Sequence, residues 1–236
     1  MRVAALIPAY QAAPYLGEVL LRLQALPGTP DVLVVDDGSR DATADVARAM
    51  GVRVLSFAGN RGKGFALIAG FEALADYEAV VTLDADGQHP PECIPEFVRA
   101  AEGGADVVLG VRERTPDMPP HRRFGNRFSS SWTSALAGCR ISDSQCGYRL
   151  FRREVLRDTP VTPGRYEVET EMAVRAARLG FRVVEIPVPT VYGGAATHLS
   201  IVRDVPRIVS MMLRLTLERL RPPASMRRAT RRGAPA

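Results

Sequence analysis

Five times within the first 112 residues a short apolar run stops at a polar cluster, and the first four give way to a segment with helical spacing. The runs are Val3–Ile7, Val32–Val35, Val52–Phe57, Ala79–Leu83 and Asp106–Gly110. Between them lie Pro14–Leu26, Asp41–Met50, Gly62–Leu74 and Pro90–Ala101. The first of these places Leu16, Val19, Leu20 and Leu23 three or four residues apart, on one helix face. Pro90 and Pro91 suit a first helical turn, and Ser39 or Asp41 suits a cap for the second helix. Strict alternation of this kind predicts an α/β chain in three layers, with a mostly parallel sheet covered by helices on both faces.

Ligands of such sheets bind beyond the carboxyl ends of the strands. The polar clusters fall at those ends: Pro8-Ala9-Tyr10, Asp36-Asp37, Asn60-Arg61-Gly62, Asp84-Ala85-Asp86 and Gly110-Val111-Arg112. They come from separate strands yet would converge on one edge. After residue 112 the pattern loosens. It predicts a helix over Arg122–Ala137, a strand over Cys146–Phe151, a helix over Glu167–Leu179, a strand over Arg182–Ile186 and a glycine-bearing loop over Val188–His198. No internal repeat and no second globular unit is visible. The expected division is one domain over residues 1–200, an amphipathic helix over 201–221 and a basic, disordered tail over 222–236.

Hydrophobic residues are 46% of the 236, ordinary for a globular protein. No run reaches the roughly 18 apolar residues of a transmembrane helix, and the N-terminus reads as a strand, not a signal peptide. Three cysteines, Cys93, Cys139 and Cys146, with no CxxC spacing, argue against a disulfide framework or a zinc site and suit a reducing cytosol. The net charge of +5 is uneven, since the segment after residue 200 is rich in arginine and holds only the acids Asp204 and Glu218. Such a segment suits an anionic surface, or is simply a solvated tail. In 201–221, Arg203, Arg207, Ser210, Arg214, Glu218 and Arg221 form a polar stripe, with Ile201, Val205, Ile208, Val209, Met212, Leu213 and Leu220 around it. That helix can lie on a membrane, pack on the domain, or bridge the two.

The chemistry centres on Asp84-Ala85-Asp86-Gly87-Gln88-His89. Two carboxylates two residues apart after a buried strand can reach one hard divalent ion, which shares its shell with substrate phosphates. A lone triplet of this kind is also a common solvated turn. Asp36-Asp37-Gly38-Ser39 offers more carboxylate than a helix cap needs and can bond a nucleobase N–H and a ribose hydroxyl. Asn60-Arg61-Gly62-Lys63-Gly64 puts two glycines and two cations at a helix start, a phosphate site without Walker A spacing.

In order and spacing, IPAYQAAPYL, VVDDGSRDAT, NRGKGFAL, LDADGQHPPE, GVRER and SDSQCGYRLFRREVL resemble the family 2 glycosyltransferases of the GT-A (Rossmann-like) fold over about residues 3–200. The closest likeness is to the dolichyl-phosphate mannose synthase-like branch, which glycosylates polyprenyl phosphates. The resemblance implies that Pro8, Tyr10 and Asp37 meet the base and ribose, with Asp36 nearby. It implies that Asp84, with Ala85, holds the ribose or donor sugar, and that Asp86 and Gln88, joined by Asp84, bind Mg²⁺ or Mn²⁺ with the diphosphate. Lys63 joins this nucleotide-sugar set. Arg112 would meet the donor phosphates and Arg122 or Arg123 the acceptor phosphate. Two departures stand out. Gln11-Ala12 replaces the usual acid after the first motif, and the loop Pro189–His198 lacks the expected basic pair, with His198 in the lysine's place.

The implied reaction transfers a hexose, with inversion, from a GDP-mannose- or UDP-glucose-type donor to a dolichyl-like phosphate. A phosphate monoester, with a second pKa of about 6, is already anionic at neutral pH and needs no general base. A hydroxyl acceptor of glycolipid or polysaccharide synthesis would need one. Asp143 is then the first candidate, beside its alternative role of ordering its own loop, with Glu169 and Glu171 behind it. The catalytic set is therefore Asp86, Arg112 and Asp143. His89 is read as shaping the turn before Pro90, outside the metal set. The chain is expected in the cytoplasm, peripheral at the inner face of the cell membrane. A nucleic-acid partner is not expected, because the acid-rich strand ends would repel a phosphate backbone. A non-catalytic nucleotide-sugar binder remains the reading from another class.

Overall fold

The computed structural model describes residues 1–112, 120–159, 161, 167–189 and 201–220. Seven strands form one sheet: β1 (Val3–Ala9), β2 (Asp31–Asp36), β3 (Arg53–Ser56), β4 (Ala79–Thr82), β5 (Val107–Arg112), β6 (Arg149–Arg152) and β7 (Val183–Val188). Their spatial order is β3-β2-β1-β4-β6-β5-β7. Eight helices accompany them among the described residues: α1 (Ala13–Gln24), α2 (Thr43–Ala49), α3 (Lys63–Ala73), α4 (Ile94–Glu102), α5 (Pro120–Ala137), α6 (Arg153–Asp158), α7 (Glu167–Arg178) and α8 (Ile201–Leu220). A short 3₁₀ turn at Pro91–Cys93 leads into α4.

The first five strands and first four helices fall where the alternation places them, and the reason is visible in the packing. Alternate residues of β1 enter different cores. Ala4 and Leu6 join one face with Leu67 and Phe71 of α3, Met172 of α7 and Met212 of α8. Ala5, Ile7 and Ala9 join the other with Leu16, Val19 and Leu20 of α1 and Phe97 of α4. A strand buried on both faces must be apolar where it is covered, as β1, the Val32–Val35 centre of β2 and Ala79–Val81 of β4 are. Each such fully buried Leu or Ile contributes about 1.5–3 kcal/mol.

The second half departs from the expectation at one strand. The strand expected over Cys146–Phe151 starts later, at Arg149, and runs antiparallel between β4 and β5. It passes directly into α6, a helix the sequence pattern did not indicate. Insertion of β6 has a geometric consequence. An antiparallel strand presents its entry where its neighbours present their exits. Thr82 pairs with Arg149, so the residues just before Arg149 lie beyond the end of β4, and the Gly110 N–H donates to the Tyr148 carbonyl beside the end of β5. The 142–148 loop is thereby delivered to the carboxyl edge of the sheet.

The helix cap at α2 also differs in detail. The residue preceding the helix is Ala42, and Asp41 supplies the capping bond one position earlier, accepting from the Thr43 N–H at 3.1 Å. Ser39 instead accepts from the Gln11 N–H.

The C-terminal helix α8 packs against α5 and α7, with Met211, Met212 and Leu215 in the same core as β1 and α3. Its polar stripe does not simply face solvent. Arg214 reaches Glu171 at 2.6 Å, and Glu218 reaches Arg175, which itself holds Glu171. A four-residue ion network therefore fastens α8 to α7, and Val209, Leu213 and Leu217 are left exposed on the outer side. The tail over 222–236 lies outside the described residues.

Candidate active site

β1 is flanked by β2 on one side and β4 on the other, so the strand order reverses there and a crevice opens beyond its carboxyl end. Pro8 and Tyr10 stand at that end, and Tyr10 is 38% exposed, a ring free to receive a planar base. The neighbouring acids are buried. Asp36 Oδ1 accepts from the Ser39 N–H at 3.0 Å. Both oxygens of Asp37 accept backbone N–H bonds, from Arg61 at 2.7 Å and Gly62 at 2.8 Å. This contact is close: a Cβ on Gly38, whose φ is +71°, would lie 2.4 Å from the Gly59 carbonyl carbon. Gly38 therefore lets the Asp36-Asp37 turn seat directly on the 59–62 loop. Gln11, with a φ of 52°, takes part from the other side, its Oε1 accepting from the Arg40 and Asp41 N–H groups.

Lys63 and Arg61 do not lie free as two phosphate-facing cations. The Arg61 guanidinium sits over the rings of Phe57 and Phe65. The Lys63 ammonium lies between two carboxylates, 2.6 Å from Asp84 Oδ1 and 2.9 Å from Glu169 Oε2. Glu169 comes from α7, and its Oε1 is buried with no hydrogen-bond partner among the described residues. Gly147, from the loop that β6 delivers, closes the cluster: a Cβ there would lie 2.6 Å from Asp84 Oδ2 and 2.8 Å from Lys63 Nζ.

The acids of the DAD turn consequently differ in how far their surroundings favour the ionised form. Burial alone would raise the Asp84 carboxyl, but Lys63, with smaller contributions from His89 and Arg112, holds it below its ordinary value. Among the described residues Asp86 has no ion pair. Burial first, and the Asp84 charge second, push its carboxyl up, against the Gln88 N–H bond to Oδ1 at 3.0 Å, the more distant Lys63 charge and its own backbone N–H. A partly buried carboxylate whose ionised form is disfavoured is where a cation gains most. Gln88 stands two residues on, with a hard side-chain oxygen. These donors fit Mg²⁺ or Mn²⁺. Among the described residues no three His, Cys, Asp or Glu side chains form a closed cage.

Across the crevice, Arg112 at the end of β5 meets Asp143 of the 142–148 loop in a two-point fork, Nε–H to Oδ2 at 2.7 Å and Nη2–H to Oδ1 at 3.0 Å. Asp143 also accepts from the Gln145 N–H, and Arg112 holds its carboxyl below the ordinary range although burial opposes this. A carboxylate so engaged is a poor proton acceptor and a good anchor. Its placement matches the loop-ordering role. His89 is buried against Tyr148, with Nε2 3.8 Å from Cys146 Sγ and a low-lying pKa caused by burial. Arg122 and Arg123 lie on α5, but their side chains, like the whole of His198, fall outside the described residues.

Sequence reasoning missed two contributors, Gly147 and Arg149, and named Glu169 only as a reserve base, not as the partner of Lys63. Gly147 and Glu169 reach the site only through the β6 inversion and the α7 packing, and no local pattern signals either placement. Arg149 left a trace, an arginine inside an apolar run. Buried at 2% exposure, it donates to the carbonyls of Cys146, Ser144 and Glu169, tying the loop to α7.

Residues 4–159 match the family described as Glycosyl transferase family 2. The undecaprenyl-phosphate mannosyltransferase of Micrococcus luteus is 36% identical over 80% of this chain and 83% of its own. The dolichyl-phosphate hexose transferase of Haloferax volcanii is 32% identical over 85% and 92%. Among solved structures, glucosyl-3-phosphoglycerate synthase from Mycobacterium tuberculosis in complex with uridine diphosphate superposes with a TM-score of 0.74 at 23% identity, covering 90% of this chain and 79% of that one. The fold is GT-A, and the chain belongs to glycosyl transferase family 2.

Proposed function

We propose that this family 2 glycosyltransferase moves a hexose from a nucleotide-diphosphate sugar to a polyprenyl phosphate, with inversion at the anomeric carbon. The observation that carries the acceptor class is electrostatic. Each acid considered as a general base is ion-paired: Asp143 with Arg112, Glu169 with Lys63, and Glu171 with Arg175 and Arg214. A hydroxyl would find none of these three free to take its proton, whereas a phosphate monoester arrives ionised. The names of the Micrococcus and Haloferax relatives agree with that class.

Each residue then has a task. Tyr10 offers its face to the base, beside Pro8, Asp36 and Asp37. Asp84, held in place by Lys63, faces the ribose or sugar. Arg112, aimed by Asp143, meets the diphosphate. An acceptor oxygen attacks the anomeric carbon from the face opposite the diphosphate, whose C–O bond breaks as the new one forms. Asp86 and Gln88, with Asp84 alongside, would hold Mg²⁺ or Mn²⁺, which when bound neutralises charge on the leaving nucleotide diphosphate. Arg122, Arg123 and His198 are assigned to the acceptor phosphate.

A lipid-borne acceptor places the enzyme at a membrane. Among the described residues no helix is long and apolar enough to cross one. The outer stripe of α8, Val209, Leu213 and Leu217, continued by an arginine-rich segment, supports peripheral attachment to the anionic inner leaflet.

The deciding experiment is an acceptor screen read by mass spectrometry, with UDP-glucose and GDP-mannose as donors and MnCl₂ present. Undecaprenyl or dolichyl phosphate should gain one hexose. Labelling of hydroxyl lipids alone would overturn the acceptor assignment.

A further inference from the structure

We infer that Lys63 is a positioning residue that bridges the donor-binding turn to helix α7, and not a ligand of the donor phosphates. The inference rests on the glycosyltransferase reading above and concerns how its donor site is held in shape.

Lys63 is the only lysine in a chain that otherwise uses arginine for every cation of this kind. The local space explains the choice. Its ammonium sits 2.6 Å from Asp84 and 2.9 Å from Glu169, and even a methyl group on Gly147 would come within 2.8 Å of it. A compact ammonium fits between two carboxylates there. A planar guanidinium is wider and needs a fork of acceptors in its own plane. With its ammonium held between both acids, Lys63 makes no ion pair with Asp86 and favours that anion only from a distance.

The bridge also connects the two halves of the site. Thr170, next to Glu169, donates from Oγ1 to the Ser144 carbonyl at 2.9 Å, and Arg149 donates both to that carbonyl and to the carbonyl of Glu169. Ser144 follows Asp143, which aims Arg112. A contiguous path therefore runs from Asp84 through Lys63, Glu169 and Thr170 to the 142–148 loop, whose Asp143 holds Arg112. Removing Lys63 would leave Asp84 and Glu169 as two close, unpaired acids, which could coexist only by protonating one or moving apart.

The test uses full-length wild type, Lys63→Met, Lys63→Arg, Glu169→Gln and the double variant Lys63→Met/Glu169→Gln. UDP and GDP affinities are measured with MnCl₂, together with kcat and KM for UDP-glucose and GDP-mannose. Lys63→Met should lower kcat by about a hundredfold while nucleotide affinity changes by less than about threefold, because the phosphates lose no contact. Lys63→Arg should not restore activity, and the double variant should recover about tenfold over Lys63→Met, because one of the two stranded acids is then neutral. A phosphate ligand predicts the reverse: weakened nucleotide affinity, partial rescue by arginine and no recovery in the double variant. That pattern would overturn the inference. If wild type binds and turns over neither donor, the functional reading fails instead. Melting temperatures then still decide the bridge without any substrate, since Lys63→Met and Glu169→Gln must be non-additive. Additive losses would refute it. If Lys63→Met does not fold, Glu169→Gln alone should reduce kcat several-fold at unchanged nucleotide affinity, and an unchanged kcat would count against the bridge.

Discussion

Arg112 and Asp143 come from a strand end and a loop 31 residues apart in the chain, yet they face each other through two near-parallel N–H···O bonds of 2.7 and 3.0 Å. The fork fixes the direction of the guanidinium toward the crevice. Asp143→Asn keeps the shape but loses one charged acceptor. It should lower kcat/KM by about tenfold to a hundredfold through misplacement of Arg112. The acid limb of the pH–rate profile should survive. Loss of that limb, with a matching collapse of kcat, would return Asp143 to the role of base.

Asp86 combines a functional demand with a cost to stability. Asp86→Ala should reduce turnover by at least about a hundredfold, and EDTA should do the same to wild type, reversibly with MnCl₂ or MgCl₂. Because burial and Asp84 both disfavour the Asp86 anion, Asp86→Asn should melt higher than wild type at pH 7. Full turnover of the alanine variant in chelator would sink the metal assignment, and an unchanged or lower melting point would sink the electrostatic one.

Gly147 has no room for a side chain. Gly147→Ala should push apart Asp84 and Lys63, costing about 1–3 kcal/mol of stability and lowering kcat in the direction that loss of Lys63 does. Steady-state turnover of the donor, paired with thermal melts, checks both effects.

The two faces of α8 should separate cleanly. Glu171 is fully buried between Arg175 and Arg214, so Glu171→Ala should destabilise the fold by about 3–5 kcal/mol. Leu213→Glu/Leu217→Glu should leave the melting temperature nearly unchanged but reduce sedimentation with anionic liposomes. Deleting residues 222–236 should weaken the same sedimentation and spare donor hydrolysis. Liposome binding untouched by both changes would remove the membrane from the proposal.

Stability should fall on the acid side. Asp41, Asp84, Glu92 and Asp143 are all held below their ordinary pKa values in the fold. A depressed carboxyl stabilises fully above its unfolded value, about 4, and that contribution is lost as pH falls through the folded value. Asp86 works with the opposite sign, so its destabilisation is relieved as pH drops through its raised value. His89 adds a loss on the acid side, since burial keeps it neutral in the fold while the unfolded imidazole protonates below about 6.5. Melting temperatures should therefore fall gently below about pH 6.5 and steeply below 4. A melting temperature that holds constant down to about pH 3 would contradict this assignment.

What the sequence by itself determined is the part governed by short-range periodicity. Fully apolar runs such as Val32–Val35 can only be strands buried on both faces, and helices spaced between them force parallel neighbours. That logic located β1 to β5 and put Asp36, Asp84 and Arg112 on one edge before any coordinates. It could not decide β6, since an apolar run gives no strand direction, and the antiparallel insertion is what brings Gly147 and Asp143 to Asp84 and Arg112. It could not assign Lys63, whose two partners lie 21 and 106 positions away and are chosen by how α3, β4 and α7 pack. It could not orient α8 either. An amphipathic helix with charges on one stripe is expected to turn them outward, and only the buried Glu171 of α7 gave Arg214 a reason to turn inward. In each case local pattern specified the element, and a long-range contact specified the use.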